Sequence, residues 1–286
     1  MCTAATIRSY NLSSQGRADK ADEMTAAPSS PPSRDAATLI VLRDGVEGQD
    51  ADGAPQILMV QRAETMAFAA GALVFPGGAV DADDHRLAAQ WHGGLPVVEA
   101  AVRIAAIRET LEEAGVAPGL IGAGPAMLAA MRANLQAGAA FSALVQDAGL
   151  TLDLSALTPF ARWHPIAGAS VRRIFDARFY IARHDPAAGV ASVDATEHVA
   201  LFWASARAVL DRCVSGGHHI LYPTRRNLER LAQFTSIAAI LDHARALPVE
   251  KIVPWVEERA DGAYLCIPGH LGYPVTAEPI ESAMRS

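Results

Sequence analysis

Residues 105–116 (AAIRETLEEAGV) are the feature that most constrains what this chain can fold into. Three carboxylates, Glu109, Glu112 and Glu113, fall within five positions, and a helix would bring all of them toward one side of the rod. The opposite stripe is apolar and able to face a core: Ile104, Ile107 and Leu111. Gly115 is suited to end that helix, because glycine adopts positive φ without a steric cost. The pattern therefore predicts a half-buried helix with an acidic face.

Such an acidic face is crowded, and something must offset the crowding. Like charges three or four residues apart on a helix destabilise it by roughly 0.2–0.5 kcal/mol per pair. Arg108, four residues before Glu112, can neutralise part of this charge. A divalent cation could neutralise the rest, since Mg²⁺ prefers carboxylate oxygens together with substrate phosphates. A solvated acidic surface without a ligand is the alternative interpretation of the helix taken alone.

The neighbourhood of this helix favours the metal site. Residues 108–116 (RETLEEAGV), preceded by 75–78 (FPGG), resemble the signature of the Nudix hydrolases. The resemblance implies an α/β (α+β) Nudix fold, an α/β/α sandwich on a mixed β-sheet, here with a helical insertion. One feature departs from the family pattern: the segment 79–107 is longer than usual. Asp84 falls where the first glutamate of the family's motif would stand, a residue that mainly braces the loop.

The resemblance also implies the chemistry of the site. Glu109, Glu112, Glu113 and a backbone carbonyl of Gly77 would bind Mg²⁺ or Mn²⁺. A divalent cation polarises a phosphoryl oxygen and lowers the pKa of bound water, which is what hydrolysis of a pyrophosphate requires. The catalytic carboxylates are expected among Glu109, Glu112 and Glu197. Glu197 precedes a predicted strand, where the family often places an extra carboxylate, and a solvated loop acid is its alternative.

Further motifs point to a substrate class. They resemble the branch of the family that contains the mammalian peroxisomal acyl-CoA diphosphatases, and they occupy residues 68–78, 104–109, 160–163, 173–179 and 223–228. That branch implies coenzyme A or an acyl-CoA as substrate, cleaved to 3′,5′-ADP and a phosphopantetheine product. One basic residue that a coenzyme A motif expects before Gly71 is absent, since positions 67 and 68 are Ala and Phe.

Two other functions stay open at this point. One is a pyrophosphatase for ADP-ribose, dinucleotides or oxidised nucleoside triphosphates. The other is a nucleotide-sensing module that binds without cleaving, although a binder has no need for crowded carboxylates.

Candidate substrate-binding residues come from the same motifs: Arg62, Phe75, Gly78, Arg173 and Arg178. The arginines are candidates because guanidinium binds phosphate bidentately. Surface ion pairs with Asp176 and Asp185 are the alternative for Arg173 and Arg178. Residues 79–96 are predicted to form a long loop that shapes the pocket for the pantetheine arm, with Trp91 as an apolar contact.

The sequence divides into a leader and one domain. Residues 1–35, rich in Ser, Ala, Asp and Pro, predict a disordered leader, and 36–275 form the Nudix domain. Strands are predicted at 36–42, 56–61, 73–75, 160–163, 178–183 and 199–203, the first two as a hairpin, and the motif helix at 97–114. Inserted helices are expected at about 124–150. Accessory helices over 227–246 and a hairpin joining 251–257 to 263–267 follow.

Bulk properties limit the partners. A net charge of −7 argues against a nucleic-acid partner, which needs a basic patch. No apolar run approaches the roughly 20 residues that span a bilayer, so no membrane partner is expected. Three isolated cysteines suit a reducing cytoplasm. The expected partner is a small nucleotide-linked diphosphate, and a homodimer is left open.

Overall fold

The computed structural model describes residues 33–45, 53–66, 69–166, 174–193 and 198–283, which belong to one compact unit, Pro31–Ser286. The strands are β1 (Arg34–Arg43), β2 (Gln56–Arg62), β3 (Leu73–Val74), β4 (Gly77–Ala79), β5 (Leu120–Ile121), β6 (Thr151–Leu152), β7 (Thr158–Trp163), β8 (Phe175–Arg183), β9 (His198–Ser205), β10 (Lys251–Ile252), β11 (Trp255–Arg259), β12 (Gly262–Cys266) and β13 (Ala277–Pro279). The α-helices are α1 (Ala82–Gln90), α2 (Val97–Ala114), α3 (Pro125–Gln136), α4 (Phe141–Asp147), α5 (Ala206–Val214), α6 (Tyr222–Leu231), α7 (Ile237–Ala246) and α8 (Ile280–Ala283).

The central sheet is mixed, as predicted. Its order is β10-β7-β8-β1-β2-β3, with β4 also paired to β1 and β9 to β2. Strand β1 runs parallel to β8 along most of its length and antiparallel to β4. The predicted hairpin of the first two strands is limited to the pairs Leu42–Ile57 and Arg43–Gln56, because β2 pairs along its whole length with β9 instead.

Helices cover both faces of this sheet. Successive side chains of a strand point to opposite faces. Accordingly Leu39 and Val41 of β1 pack with α1 to α4, whereas Ile40 and Leu42 pack with α5, α6 and α7 on the other side. This is the predicted α/β/α sandwich.

Helix α2 has the bounds that its sequence predicts. It lies between the sheet, α1 and α3, so most of its residues are buried rather than only one stripe. It ends at Gly115, whose φ of 71° is left-handed. The acidic residues near its end are therefore fixed to a rigid, enclosed element.

The long loop predicted over 79–96 is wrong, because half of it is helix α1. Asp81 caps that helix by accepting hydrogen bonds from the backbone N–H groups of Asp83 and Asp84, and the Asp84 carboxylate accepts one from the Asp81 N–H. This reciprocal capping stabilises a helix start. Trp91, at its C-terminal end, packs against the core on the α2 side of the sheet, so its apolar surface is already covered in part.

The remaining elements complete the two layers. Helices α3 and α4 lie within the predicted insertion, and Ser236 caps α7 by accepting a hydrogen bond from the Ala239 N–H. Helix α6 begins at Tyr222, earlier than predicted, and α5 was not anticipated. Lys251 and Ile252 extend the central sheet beside β7 rather than joining the hairpin, which consists of β11 and β12 with β13 as a third strand. Among the described residues, none of the helices has the length and apolar character that crossing a bilayer requires.

Candidate active site

The acidic end of α2 meets the start of β4. The backbone N–H of Gly77 donates to Glu113 Oε2 at 3.0 Å. A Cβ at Gly77 would collide with the carbonyl of Ala37, and one at Gly78 would collide with the Glu109 carboxylate. Gly77 thus requires glycine, because its backbone lies directly against that of β1, and a larger residue at Gly78 would displace the Glu109 carboxylate.

Arg108 forms hydrogen bonds with the other carboxylates of this cluster. Its Nη1 donates to Glu109 Oε1 at 2.8 Å and to Glu112 Oε1 at 3.0 Å. Its Nε and Nη2 donate to the two oxygens of Asp84 at 3.0 and 2.8 Å, and Nη2 also donates to the Ala79 carbonyl at 3.0 Å. A bidentate contact of this kind fixes the guanidinium plane. The Arg108 side chain therefore connects α1 and β4 to two glutamates of α2 through hydrogen bonds.

Asp84 has the bracing position that the family pattern suggests. Its side chain is fully buried, and both of its carboxylate oxygens contact Arg108. Asp84 reaches Arg108 from the first turn of α1, so the longer connection between Gly78 and α2 keeps a carboxylate at this place.

Burial dominates the electrostatics of Glu109. Removal from water raises the pKa of the Glu109 carboxyl to about 7, the Arg108 charge opposes that rise, and the Glu112 charge adds to it. A buried carboxylate is stable as an anion only with a cationic partner. The site therefore favours additional positive charge beside Glu109.

His198, the first residue of β9, also lies at this cluster, although it is not among the predicted site residues. Its ring is buried, and Nε2 lies 3.6 Å from Glu113 Oε1. In the sheet, His198 pairs with Arg62 at the end of β2, so predicted substrate residue Arg62 reaches the same edge. The available signal was its place beside Glu197 before an apolar strand.

Two other predicted substrate residues lie elsewhere. Phe75 is 3% exposed and packs edge-to-face on Phe179, with ring centroids 6.4 Å apart, so it is a core residue, and its position gives no support to the predicted substrate contact. Arg178 donates to Glu99 at 3.3 Å and Asp35 at 3.5 Å. Glu99 lies ten residues before Glu109 on α2, which corresponds to about 15 Å along the axis. The structure does not bring Arg178 to the glutamates.

Of the remaining predicted residues, one lies in the site and the others fall outside the described part of the chain. Gly78 lies against Glu109, as described above. Arg173 and Glu197, together with position 68, fall outside the described residues.

The donors of this cluster are those a hard divalent cation prefers. Glu109, Glu112 and Glu113 supply carboxylate oxygens around Gly77 and Gly78, and oxygen-only donor sets suit Mg²⁺ and Mn²⁺. In the described part of the chain, no three acidic, histidine or cysteine side chains stand in a ready ligand arrangement. Glu109 and Glu112 are instead drawn to Arg108, so a bound cation would compete with that guanidinium for them.

Comparison with known proteins gives two informative relatives. The chain is 29% identical over 277 residues to the acyl-coenzyme A diphosphatase NUDT19 of Gallus gallus, with 77% of this chain and 73% of that protein covered. Its structure is similar to that of a Nudix hydrolase from Alicyclobacillus acidocaldarius, with a TM-score of 0.63, 29% identity, and 74% of this chain and 96% of that chain covered.

The other comparisons add little. A MutT Nudix hydrolase from Burkholderia pseudomallei is 20% identical, with a TM-score of 0.39 over 70% of this chain and 98% of that one. No family model matches the chain.

Proposed function

From the premise that this chain belongs to the Nudix hydrolase family, we propose that it is a divalent-metal-dependent diphosphatase of coenzyme A or an acyl-CoA. The products are 3′,5′-ADP and the corresponding phosphopantetheine or acyl-phosphopantetheine. The observation that carries the catalytic part is the meeting of Glu109 and Glu113 with the Gly77–Gly78 backbone at the end of a buried helix. The relative from Gallus gallus supports the substrate class.

The metal would be Mg²⁺ or Mn²⁺, held by Glu109, Glu112, Glu113 and the carbonyl of Gly77. When bound, such an ion neutralises phosphate charge and activates water for attack on phosphorus. Asp84 and Arg108 position this set rather than contact the substrate, because both are buried beneath it.

The protein itself supplies orientation and proton transfer. The Gly77 N–H fixes the Glu113 carboxylate, and Arg108 fixes Glu109 and Glu112. Glu112 has the most exposed side chain of the three, at 31%, against 16% for Glu109 and 8% for Glu113. It is therefore the best placed of them to accept a proton from an attacking water, with Glu197 as the other candidate base. Arg62, at the same edge of the sheet, is a candidate contact for substrate phosphate.

The substrate assignment is tested by comparing kcat/KM for coenzyme A, an acyl-CoA, NADH and ADP-ribose in Mg²⁺ and Mn²⁺, with products separated by chromatography. We expect the highest value for coenzyme A or the acyl-CoA, with 3′,5′-ADP as one product. A clear preference for NADH or ADP-ribose would contradict the substrate class and leave the hydrolase assignment intact. EDTA should abolish turnover of every substrate.

A further inference from the structure

Helix α2 carries its catalytic charges at an unfavourable end. The C-terminal end of a helix bears partial negative charge and four carbonyls without intrahelical partners. Glu112 and Glu113 lie in the last turn, and that turn contains no basic residue of its own. Something outside the helix must therefore hold this end in place.

Arg132 of α3 does so. Its Nε donates to the Glu112 carbonyl at 2.8 Å, and its Nη2 donates to the Glu113 carbonyl at 2.9 Å. Its Nη1 donates to Ser192 Oγ at 2.9 Å, and the Ser192 N–H donates to the Ala114 carbonyl at 2.9 Å. The last three carbonyls of α2 are thus bound by two segments that are distant in sequence.

Gly115 provides the space for this contact. A Cβ at Gly115 would lie 3.2 Å from Arg132 Nη1 and 3.3 Å from Ser192 Oγ, closer than nine in ten real Cβ contacts. Its φ of 71° also disfavours a larger residue. The glycine of the motif and the guanidinium of the insertion therefore belong to one structural unit.

We propose that Arg132 is a positioning residue for the metal site, an inference that rests on the proposed function. By holding the backbone of Glu112 and Glu113, it keeps the Glu113 carboxylate at the Gly77 N–H and beside His198. It brings a positive charge to the negative end of α2. Through Ser192 it also links this end to the segment that leads toward β9. The inserted helix α3 thereby becomes part of the catalytic apparatus without touching the substrate.

The effect on metal binding follows from helix geometry. Helix ends fray when their terminal groups lose partners. Loss of the Arg132 contacts would let the last turn move, and both glutamates would move with it. Lysine retains the charge, but a single ammonium cannot reproduce the forked contact with two carbonyls.

The test is Mn²⁺ binding to the full chain in the absence of substrate, measured by electron paramagnetic resonance, with thermal unfolding in EDTA measured alongside. The variants are Arg132→Met and Arg132→Lys. The matched control is Arg103→Lys, since Arg103 also donates to two backbone carbonyls, those of Leu154 and Leu157, but from the other half of α2.

We expect Arg132→Met to raise the Mn²⁺ dissociation constant at least about tenfold, as is typical when a group that orients metal ligands is lost. Arg132→Lys should fall between that variant and the wild type. Arg103→Lys should lower the unfolding temperature and leave Mn²⁺ affinity unchanged. Wild-type affinity in Arg132→Met, or equal losses in Arg103→Lys and Arg132→Lys, would overturn the inference. If the wild type itself bound no Mn²⁺, the proposed function would fail first.

Discussion

At the scale of single residues, the negative charge of the carboxylates in the site is offset by one buried guanidinium, that of Arg108. Arg108 contacts Asp84, Glu109 and Glu112 at 2.8 to 3.0 Å. Removing one partner of a buried ion pair is strongly destabilising, because it leaves an uncompensated charge. Asp84 is the partner best isolated from water, since its side chain is fully buried.

Asp84→Asn should therefore lower the free energy of unfolding by about 3 kcal/mol. The measurement is urea denaturation followed by circular dichroism in EDTA. Arg86→Ala is the control, because the Arg86 side chain is 64% exposed and its partner Asp83 keeps two hydrogen bonds from Ser142 without it; we expect a change within about 0.5 kcal/mol. An Asp84→Asn protein as stable as the control would show that Arg108 does not depend on this carboxylate.

At the scale of elements, helix α1 supports α2. Its Asp84 reaches Arg108, and its Asp83 accepts two hydrogen bonds from Ser142 at the start of α4. Trp91, at the C-terminal end of α1, packs against the same hydrophobic core as α2. Helix α1, which forms the middle of the segment between Gly78 and α2, is thus packed against α2 and α4 and is not free to follow a substrate.

Trp91→Ala should lower the free energy of unfolding by about 2 kcal/mol, less than for a fully buried aromatic residue, because Trp91 is only partly buried. The ratio of KM for coenzyme A to KM for ADP-ribose should not change. Val214→Ala, at a side chain 88% exposed, should alter neither quantity. A rise in the KM for coenzyme A without a rise in the KM for ADP-ribose would instead support the contact between Trp91 and the pantetheine arm that the sequence suggested.

How far the sequence predicts these elements depends on the range of the interactions. Helix α2 was predicted to the residue because its signals are local: apolar spacing within it and Gly115 after it. The local signal for α1 is also present, as Asp81 and Asp84 three residues apart, but the extra length of this segment relative to the family pattern favoured a loop. The contacts of Arg132 with Glu112 and Glu113, and of His198 with Glu113, join distant segments, so no pattern within one segment could reveal them.

At the scale of the whole molecule, the face opposite the glutamates is closed by the C-terminal part. Trp163 Nε1 of β7 donates to the Tyr273 hydroxyl at 3.2 Å, and that hydroxyl donates to Asn227 Oδ1 of α6 at 2.9 Å. All three residues are buried. This chain of hydrogen bonds explains Asn227 in the 223–228 motif as a structural residue, on the side of the sheet away from the metal cluster.

Tyr273→Phe should lower the free energy of unfolding by about 1–3 kcal/mol, since two buried polar groups lose their partner. The value of kcat/KM should stay at that of the wild type. Tyr264→Phe is the control, because its hydrogen bond to Asp261 lies at the surface, and its effect should be within about 0.5 kcal/mol. A selective loss of activity in Tyr273→Phe would contradict the structural role.

The most direct test of the central claim is steady-state turnover of coenzyme A in Mg²⁺ and Mn²⁺ by Glu109→Gln and Glu113→Gln, compared with Glu258→Gln on exposed strand β11. Each of the first two substitutions removes one charge from the cluster at almost constant volume. We expect each to lose at least about a hundredfold in kcat, or roughly 2.7 kcal/mol of transition-state stabilisation, with far-UV circular dichroism unchanged. Glu258→Gln should retain full activity. Wild-type turnover in both Glu109→Gln and Glu113→Gln would contradict the assignment of this cluster as the catalytic centre.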